Sequence, residues 1–326
     1  MTRRAKIAGT GSFVPENKIT NADLEKLIDT TDEWITTRCG IKERRIIGEG
    51  ESTSKLAHKA AERALEMADI PPSRVQAIIV ATITPDTMFP STACYLQESL
   101  GCGHVAAFDL MAACSGFIYA CGVAKNFVEN GQFDCVIAIG AESLTTITDY
   151  QDRNTCILFG DGAGAAVIVP GDDESGFISM NMHSELDAKM MVLPAGGSRI
   201  PASHKSLAAR DHYMKLKGRD IFKFAVLRAN QMLAHEVESN NISIEDVKYI
   251  IPHQVNMRIL QSAADRFNIG LDKFYINLDR YGNTSAASVP IALDEAIREG
   301  KIDRGDLLLL VAFGGGKTWA SSLLRF

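Results

Sequence analysis

Gln76-Ala-Ile-Ile-Val-Ala-Thr82 and Val247-Lys-Tyr-Ile-Ile-Pro-His253 are short apolar stretches of the same pattern, 171 residues apart in the chain. Each follows a stretch with helical periodicity, residues 55–68 in the first case and 222–237 in the second. Strands that alternate with helices in this way are typical of α/β proteins, in which helices cover both faces of a sheet. The two stretches therefore predict an α/β fold.

The internal similarity extends beyond this pair. Ala107-Phe-Asp-Leu110 returns as Tyr275-Ile-Asn-Leu278, in the same order and at nearly the same offset. A repeat of this length is not a solenoid unit, whose period is about 20 to 50 residues. We interpret it as a duplicated half-domain. It predicts two similar halves, residues 1–175 and 176–326, that form one compact unit rather than two independent domains.

The composition is typical of a globular protein, with 46% apolar and 23% charged residues. A net charge of −6 argues against nucleic acid or an anionic membrane as the main partner. No apolar stretch reaches the roughly 18 residues of a membrane helix, and Gly9 and Gly11 interrupt the first one too early for a signal peptide. We therefore expect a cytoplasmic protein that binds neither nucleic acid nor membrane.

The cysteines and histidines, seven of each, show no metal-binding or disulfide pattern. No two cysteines have the CxxC spacing, and no two histidines have the HxxxH or HExxH spacing. We therefore expect no metal site, and we expect most of the cysteines to be small buried residues.

Cys114 is the cysteine whose position suggests chemistry. It follows a predicted strand, residues 105–110, and opens a stretch with helical spacing, residues 115–130. At the N-terminus of a helix, unpaired N–H groups and the dipole favour a thiolate and any oxyanion that forms nearby. We therefore predict that Cys114 is a nucleophile with a lowered pKa. The alternative is a buried structural cysteine, which is the commoner role of an unpaired cysteine.

Two further residues are weaker candidates. His253 ends the second copy of the quoted strand, at the sheet edge where α/β proteins place ligand chemistry. Asn283 lies in Tyr281-Gly-Asn-Thr-Ser-Ala-Ala-Ser288, roughly at the turn of the repeat that Cys114 occupies in the first half. A lone histidine is more often a surface or core residue, and Gly-Asn is also a common turn.

Two glycine-rich stretches could approach a ligand. Gly314-Gly-Gly316 follows a predicted strand and is either a ligand contact or a tight turn. It is not a phosphate loop, because Val311 stands where that motif needs glycine. Gly160-Asp-Gly-Ala-Gly-Ala165 is not a dinucleotide fingerprint, because a strand rather than a helix follows it.

Cys114, His253 and Asn283, with their surrounding motifs, resemble the β-ketoacyl-acyl-carrier-protein synthase III family of the thiolase superfamily, over nearly the whole chain. The matching motifs are, in order, Asp32-Glu-Trp-Ile35, Ala113-Cys-Ser-Gly-Phe117, Phe159-Gly-Asp-Gly-Ala-Gly164, Pro252-His-Gln-Val-Asn256, Tyr281-Gly-Asn-Thr-Ser-Ala286 and Phe313-Gly-Gly-Gly316. The resemblance implies a five-layered αβαβα fold built from two similar halves, and an obligate homodimer.

The resemblance also implies a reaction: the decarboxylating Claisen condensation of a short acyl-CoA primer, for which we expect acetyl-CoA, with malonyl-acyl carrier protein. Cys114 would take the acyl group while the N–H groups of Cys114 and Gly315 hold the carbonyl oxygen. His253 and Asn283 would donate hydrogen bonds to the malonyl thioester as the enolate forms, which requires neutral donors. No cofactor is expected, because acyl-CoA is a substrate.

The same resemblance assigns binding residues. The CoA nucleotide would lie against Trp34, Arg38 and Arg153, of which the arginines offer planar forks for phosphate. Phe89 would enter the acyl pocket of the partner subunit and favour a short primer. The acyl carrier protein would contact Gln254, Val255, Asn256, Met257, Arg258, Lys223 and Arg266, whose cations suit an acidic partner.

Some features leave alternatives open. Cys39 stands where the family usually has Thr or Ser, and Lys317 stands where an apolar residue is commoner. Residues 184–216 have weak periodicity, and we expect a surface excursion or lid there. The alternative function is another condensing enzyme of the superfamily, of the hydroxymethylglutaryl-CoA, alkylquinolone or polyketide type. More distant alternatives are a Cys-His-Asn thiol hydrolase and a carrier-protein binder without enzymatic activity.

Overall fold

In the computed structural model, which describes residues 3–171 and 174–326, two five-stranded sheets form the centre of the chain. The strands, in chain order, are β1 (Arg4–Phe13), β2 (Lys18–Thr20), β3 (Glu43–Arg45), β4 (Ala77–Ala81), β5 (Ala106–Leu110), β6 (Val136–Glu142), β7 (Gly162–Gly171), β8 (Gly176–Phe177), β9 (Asn181–Ser184), β10 (Met191–Val192), β11 (Lys215–Leu216), β12 (Tyr249–Pro252), β13 (Leu307–Gly314) and β14 (Thr318–Arg325).

Helices flank and separate the sheets. They are α1 (Asn21–Glu25), α2 (Asp32–Cys39), α3 (Thr53–Ala68), α4 (Thr92–Leu100), α5 (Gly116–Glu129), α6 (Arg153–Cys156), α7 (His204–Ala208), α8 (Gly218–Ser239), α9 (Met257–Phe267), α10 (Leu278–Tyr281) and α11 (Ser288–Arg298). Two short 3₁₀ turns, Ala113–Ser115 and Ser285–Ala287, lead directly into α5 and α11.

The duplication predicted from the sequence is present in the strand pairing. In the first sheet, of order β1-β7-β6-β4-β5, β6 runs parallel to β4 and antiparallel to β7. In the second, β13 runs parallel to β12 and antiparallel to β14, which also pairs with β8 and β9. The same three-strand unit therefore forms the core of both sheets.

The predicted repeat fails at one strand. Ala107–Leu110 belongs to β5, but its counterpart at 275–278 is no strand and retains only a bridge between Ile250 and Phe274. The side chain of Gln254 takes the place of the missing ladder, since its Nε2 donates to the carbonyl of Tyr275 and its Oε1 accepts from the N–H of Asn277. A side chain thus satisfies backbone groups that a strand would otherwise pair.

The five layers follow from the packing of the helices. α5 and α11 lie between the two sheets and share one hydrophobic cluster with both of them. α3 and α4 cover the outer face of the first sheet, and α8 and α9 cover the outer face of the second. Small residues such as Gly116, Ala120 and Ala124 are buried along α5, which lets a helix fit between two sheets. The αβαβα prediction is confirmed.

Three other predictions concern organisation. The boundary at 175/176 falls between β7 and β8, and the division into two halves of one unit stays a prediction. The excursion, residues 184–216, contains the paired strands β10 and β11 and the helix α7, and it buries Met190 and Met214. Across residues 3–171 and 174–326, no helix combines the length and apolar character that a membrane span needs.

Strand β6 lies against the turn that begins α11. A Cβ atom placed on Gly140 would lie 2.1 Å from the carbonyl oxygen of Ala286, so no side chain fits at this position. The strand and the turn therefore approach one another at backbone distance.

We expect Gly140→Ala to lower the free energy of unfolding by about 1–3 kcal/mol, because the added methyl group must push the turn away. Urea denaturation measures the change, and Gly197→Ala is the matched control because a Cβ there meets nothing within 4 Å. The control should stay within about 0.5 kcal/mol of the parent protein. Equal effects of the two substitutions would contradict the close approach of β6 to the turn.

Candidate active site

Cys114 lies in the 3₁₀ turn Ala113–Ser115, at the entry to α5. The residue before it, Ala113, has a φ of +46°, which is uncommon for a residue with a side chain. The end of β13 packs closely against the other side of this turn, since a Cβ on Gly314 would lie 2.6 Å from the Cys114 nitrogen. The sheet of the second half thus fixes the cysteine of the first half.

The structure corrects the prediction of a lowered pKa at Cys114. Burial raises the pKa of this thiol to about 12, because Cys114 is only 5% exposed. The hydroxyl of Ser285 and the N–H groups of Cys114 and Gly315 lie close enough to the sulfur to oppose that rise, but they do not overcome it. The cysteine is therefore a neutral thiol at rest, and its proton must be taken by another group.

His253 follows β12 and is buried, and its ring packs edge-on against Phe313 with the centroids 5.5 Å apart. Its Nδ1 lies 2.7 Å from the Ser288 hydroxyl, which also accepts the N–H of Gln254. The Ser288 hydroxyl can therefore donate to Nδ1, and with that assignment the ring proton lies on Nε2. Burial also lowers the pKa of His253 to about 3, so the ring is neutral at ordinary pH.

Asn283 is held at both of its backbone groups and at one side-chain atom. Its N–H donates to the carbonyl of Leu158 at 2.8 Å, and its carbonyl accepts the N–H of Gly160 at 3.1 Å. Its Oδ1 accepts the N–H of Ser285 at 2.8 Å. Within residues 3–171 and 174–326, the Nδ2 amide is left as the donor that can reach a ligand. His253 and Asn283 therefore both present a neutral N–H group.

A cavity of about 590 Å³ reaches Asn283 from the surface, whereas Cys114 and His253 lie behind its lining. Its lining runs from the exposed Arg38 and Arg258 to the buried Phe159 and Asn283, and Met191 of β10 forms part of one wall. The predicted excursion therefore covers the site. Among the described residues, no cluster of three or more His, Cys, Asp or Glu side chains could hold a metal ion.

The three residues predicted to bind CoA lie together. The guanidinium carbons of Arg153 and Arg38 are 4.2 Å and 5.0 Å from the centroid of the Trp34 ring. The two cations and the half-buried indole form a platform that suits an aromatic base carrying phosphates.

The predicted contact of Gln254 with a carrier protein is wrong in this structure. Gln254 is 1% exposed, and its side chain bonds the carbonyls of Pro252 and Tyr275 and the N–H of Asn277. A side chain whose polar atoms all serve the fold offers no surface to a partner.

The other predicted carrier-protein residues divide into two groups. Val255, Asn256 and Met257 are half-buried, and Asn256 caps α9 while its Nδ2 donates to the carbonyl of Arg38. The exposed cations are Lys223, Arg258 and Arg266. Lys223 and Arg266 line a shallow groove between α8 and α9, and Arg258 lies in a separate hollow beside Trp34 and Arg38.

Phe89 is 87% exposed and does not line the cavity of its own chain.

Cys39 is buried beside that cavity, and its thiol donates to the carbonyl of Ile35. Lys317 has ionic partners in the excursion, Glu185 at 3.5 Å and Asp187 at 3.4 Å, which explain a cation at this position.

Sequence reasoning missed Glu142, Ser285 and Ser288. Ser288 orients His253, and Ser285 lies beside Cys114. Glu142 is buried at the end of β6, where burial raises its pKa to about 7. A signal for Glu142 was present, because it is the charged residue that ends an otherwise uncharged strand, Val136–Glu142.

Known proteins resemble the chain along its whole length. The families described as 3-oxoacyl-[acyl-carrier-protein] synthase III and as its C-terminal region match residues 108–186 and 237–326. The β-ketoacyl-[acyl-carrier-protein] synthase III of Caldanaerobacter subterraneus is 52% identical over 99% of this chain and 98% of that protein, and the Clostridioides difficile protein of the same name is 48% identical over 100% and 99%. The crystal structure of 3-oxoacyl-[acyl-carrier-protein] synthase III from Aquifex aeolicus superposes with a TM-score of 0.91 at 46% identity, over 99% of this chain and 100% of that one.

We expect His253 to stay neutral, with its proton on Nε2, at pH 5, well below the pKa of about 6.5 of a free histidine. Nitrogen-15 NMR of histidine-labelled protein measures both the charge and the tautomer, and a His253→Asn variant assigns the signal. Ser288→Ala should allow the Nδ1–H tautomer to appear. A His253 signal that titrates near pH 6.5 would contradict the neutral buried ring.

Proposed function

The chain belongs to the β-ketoacyl-acyl-carrier-protein synthase III family of condensing acyltransferases, which initiate fatty-acid synthesis, and we propose that Cys114, His253 and Asn283 carry out that reaction here. One observation carries the proposal. The acceptor atoms of the two buried donors are already occupied, His253 Nδ1 by Ser288 and Asn283 Oδ1 by the N–H of Ser285. Each residue thus has an N–H left to place on a substrate oxygen.

The first half-reaction loads the primer. The sulfur of Cys114 attacks the thioester carbonyl of an acyl-CoA, and the N–H groups of Cys114 and Gly315 receive the oxygen as it becomes negative. The bond from the carbonyl carbon to the CoA sulfur then breaks, CoA leaves as a thiol, and the acyl group remains on Cys114. The position of both N–H groups at the sulfur supports this role.

The second half-reaction forms the carbon–carbon bond. His253 and Asn283 donate hydrogen bonds to the thioester oxygen of malonyl-acyl carrier protein, so that carbon dioxide leaves and the electron pair is held as an enolate. The enolate carbon attacks the acyl group on Cys114, the bond to sulfur breaks, and the thiolate is restored. Neutral donors are required, because a carboxylate in either place would repel the enolate.

The binding assignments are part of the same proposal. The CoA nucleotide lies on the platform of Trp34, Arg38 and Arg153, with acetyl-CoA as the primer, and no cofactor takes part. The acidic carrier protein docks on Lys223, Arg258 and Arg266. We propose that this reaction takes place in the cytoplasm.

We also propose a homodimer in which Phe89 enters the pocket of the partner subunit. The exposure of Phe89 and of the neighbouring Met88, at 87% and 81%, supports an apolar contact with another chain.

The relatives at 46–52% identity favour the fatty-acid reaction over the alternative condensing reactions. A hydroxymethylglutaryl-CoA, alkylquinolone or polyketide-type synthase differs in its second substrate or in its primer. An assay that offers malonyl-acyl carrier protein and malonyl-CoA in parallel separates these activities, and we expect product with the carrier-protein substrate.

The two half-reactions should fail separately. Cys114→Ala should abolish acyl transfer and condensation, while malonyl-acyl carrier protein is still slowly decarboxylated. His253→Ala or Asn283→Ala should leave Cys114 able to accept an acyl group but slow decarboxylation about 10²–10³-fold, as for the loss of an oxyanion-hole donor. Intact-protein mass spectrometry with acetyl-CoA measures acylation, and release of labelled carbon dioxide measures decarboxylation. If His253→Ala can no longer be acylated, His253 acts as the base for Cys114 and this division of roles is wrong.

Reversal of surface charge should separate the two substrates. Arg266→Glu should raise the KM for malonyl-acyl carrier protein on the order of tenfold and leave acyl-CoA exchange unchanged, because rim charges mainly guide association. Arg258→Glu should weaken both substrates, because Arg258 shares a hollow with Trp34 and Arg38. Arg74→Glu, an exposed site in the other half of the chain, is the control. If Arg266→Glu weakens the use of malonyl-acyl carrier protein and of acyl-CoA equally, the groove between α8 and α9 is not part of the docking surface.

A further inference from the structure

Glu142 is a buried carboxyl group that neither half-reaction uses. It is 0% exposed at the end of β6. All three donors that reach it bond the same oxygen, Oε2: the hydroxyl of Thr84 at 2.8 Å, the N–H of Ile83 at 3.1 Å and the hydroxyl of Thr82 at 3.2 Å. Its second oxygen, Oε1, has no hydrogen-bond partner among the described residues, which is costly for a buried charge.

The second unsatisfied atom nearby is the hydroxyl of Ser285. Gly140 lies two residues before Glu142, on the same face of β6, and lies against the turn Ser285–Ala287 at backbone distance. Glu142 therefore points toward that turn. Ser285 Oγ is buried and makes no hydrogen bond of normal geometry within the described residues. It nevertheless lies near enough to lower the pKa of both the Cys114 thiol and the Glu142 carboxyl.

The proposed acyl transfer needs a proton acceptor that the three site residues do not supply. Burial leaves the Cys114 thiol with a pKa of about 12, so it attacks a thioester only as it loses its proton. His253 is a weak acceptor for this proton, because burial lowers its pKa to about 3 and its Nδ1 is already engaged with the Ser288 hydroxyl. Glu142 is in the useful range, because burial raises its pKa to about 7.

We propose that Glu142 accepts, through the hydroxyl of Ser285, the proton that Cys114 loses when it attacks the acyl thioester. The thiol hydrogen passes to Ser285 Oγ while the Ser285 hydrogen passes to the unpartnered Oε1 of Glu142. When the bond to CoA breaks, the proton returns by the same route and CoA leaves as a thiol. No oxidant or further reactant is needed. This inference rests on the proposed function, since it supposes that Cys114 becomes acylated.

The pH dependence follows from the groups around Glu142. Cys114 interacts with Glu142 and shares Ser285 with it, whereas Thr82, Thr84 and the N–H of Ile83 do not titrate in the accessible range. Only ionised Glu142 can accept a proton. The reactivity of Cys114 should therefore rise with pH through an inflection near 7, far below the pKa of the thiol itself.

Alkylation of Cys114 by iodoacetamide, followed by peptide mapping at pH 5 to 10, tests the relay without any acyl substrate. In Glu142→Gln the inflection near pH 7 should disappear, and the rate at pH 7.5 should fall at least tenfold. Ser285→Ala should behave in the same way, while Glu142→Asp should keep an inflection. Glu236→Gln is the matched control. Glu236 is also buried, but both of its oxygens accept hydrogen bonds from structural side chains, so this substitution should leave the pH profile of Cys114 alkylation unchanged.

If Glu142 acted on Cys114 only through its charge, Glu142→Gln would change the alkylation rate in the opposite direction. The negative charge of Glu142 raises the pKa of Cys114, so its removal alone would make Glu142→Gln react faster at neutral pH. A faster rate, or an unchanged profile, in Glu142→Gln and Ser285→Ala would overturn the relay. Circular dichroism identifies any variant that does not fold. If one of Glu142→Gln, Ser285→Ala and Glu142→Asp fails to fold, the remaining two decide the outcome.

Acylation of the same proteins by acetyl-CoA separates the two proposals. The acylation rate should fall about 10²-fold or more in Glu142→Gln, as for the loss of a general base. A parent protein that is not acylated by acyl-CoA, yet shows the predicted alkylation profile, would contradict the proposed function and keep the relay. Normal acylation of the Glu142→Gln variant would contradict the relay and keep the proposed function.

Discussion

The contact between the ends of the two sheets and the two 3₁₀ turns determines the arrangement of the site. Gly314, from the second sheet, lies against the turn that carries Cys114 in the first half. Gly140, from the first sheet, lies against the turn after Asn283 in the second half. Each half therefore positions the chemical group of the other. The nucleophile and the two donors are brought together by the packing of two sheets across one central layer, and a side chain at either glycine would separate them.

The same packing excludes water from the site, and this desolvation shifts the pKa values of the titratable groups in it. Burial raises the pKa values of Cys114 and Glu142 and lowers that of His253, so each shift favours the uncharged form. The neutral His253 ring and the Asn283 amide are fixed donors that do not need to reorganise when charge develops on the substrate. The reaction that we propose therefore creates negative charge at two places where N–H groups already point.

Much of this could be predicted from the sequence, and the limits have physical causes. Strand runs and helical spacing are local, so the two halves and their order were accessible. Cys114 and His253 were candidates because each lies at the end of a predicted element, Asn283 because of its place in the repeat, and the family resemblance joined the three. The pKa of Cys114 was predicted in the wrong direction because burial depends on the whole fold, whereas a helix terminus can be seen locally. Gln254 was misassigned for the same reason, since the backbone groups that it bonds lie more than twenty residues away at Tyr275 and Asn277.

The small exposure of Cys114 also bears on the lifetime of what forms there. An enolate in contact with bulk water would take up a proton and be lost as a simple acyl thioester, and an acyl-cysteine would be hydrolysed. Because Cys114 is only 5% exposed, bulk water has little access to the atoms that react there. Burial of the reacting atoms thus favours carbon over hydrogen as the electrophile and protects the acyl-cysteine from hydrolysis.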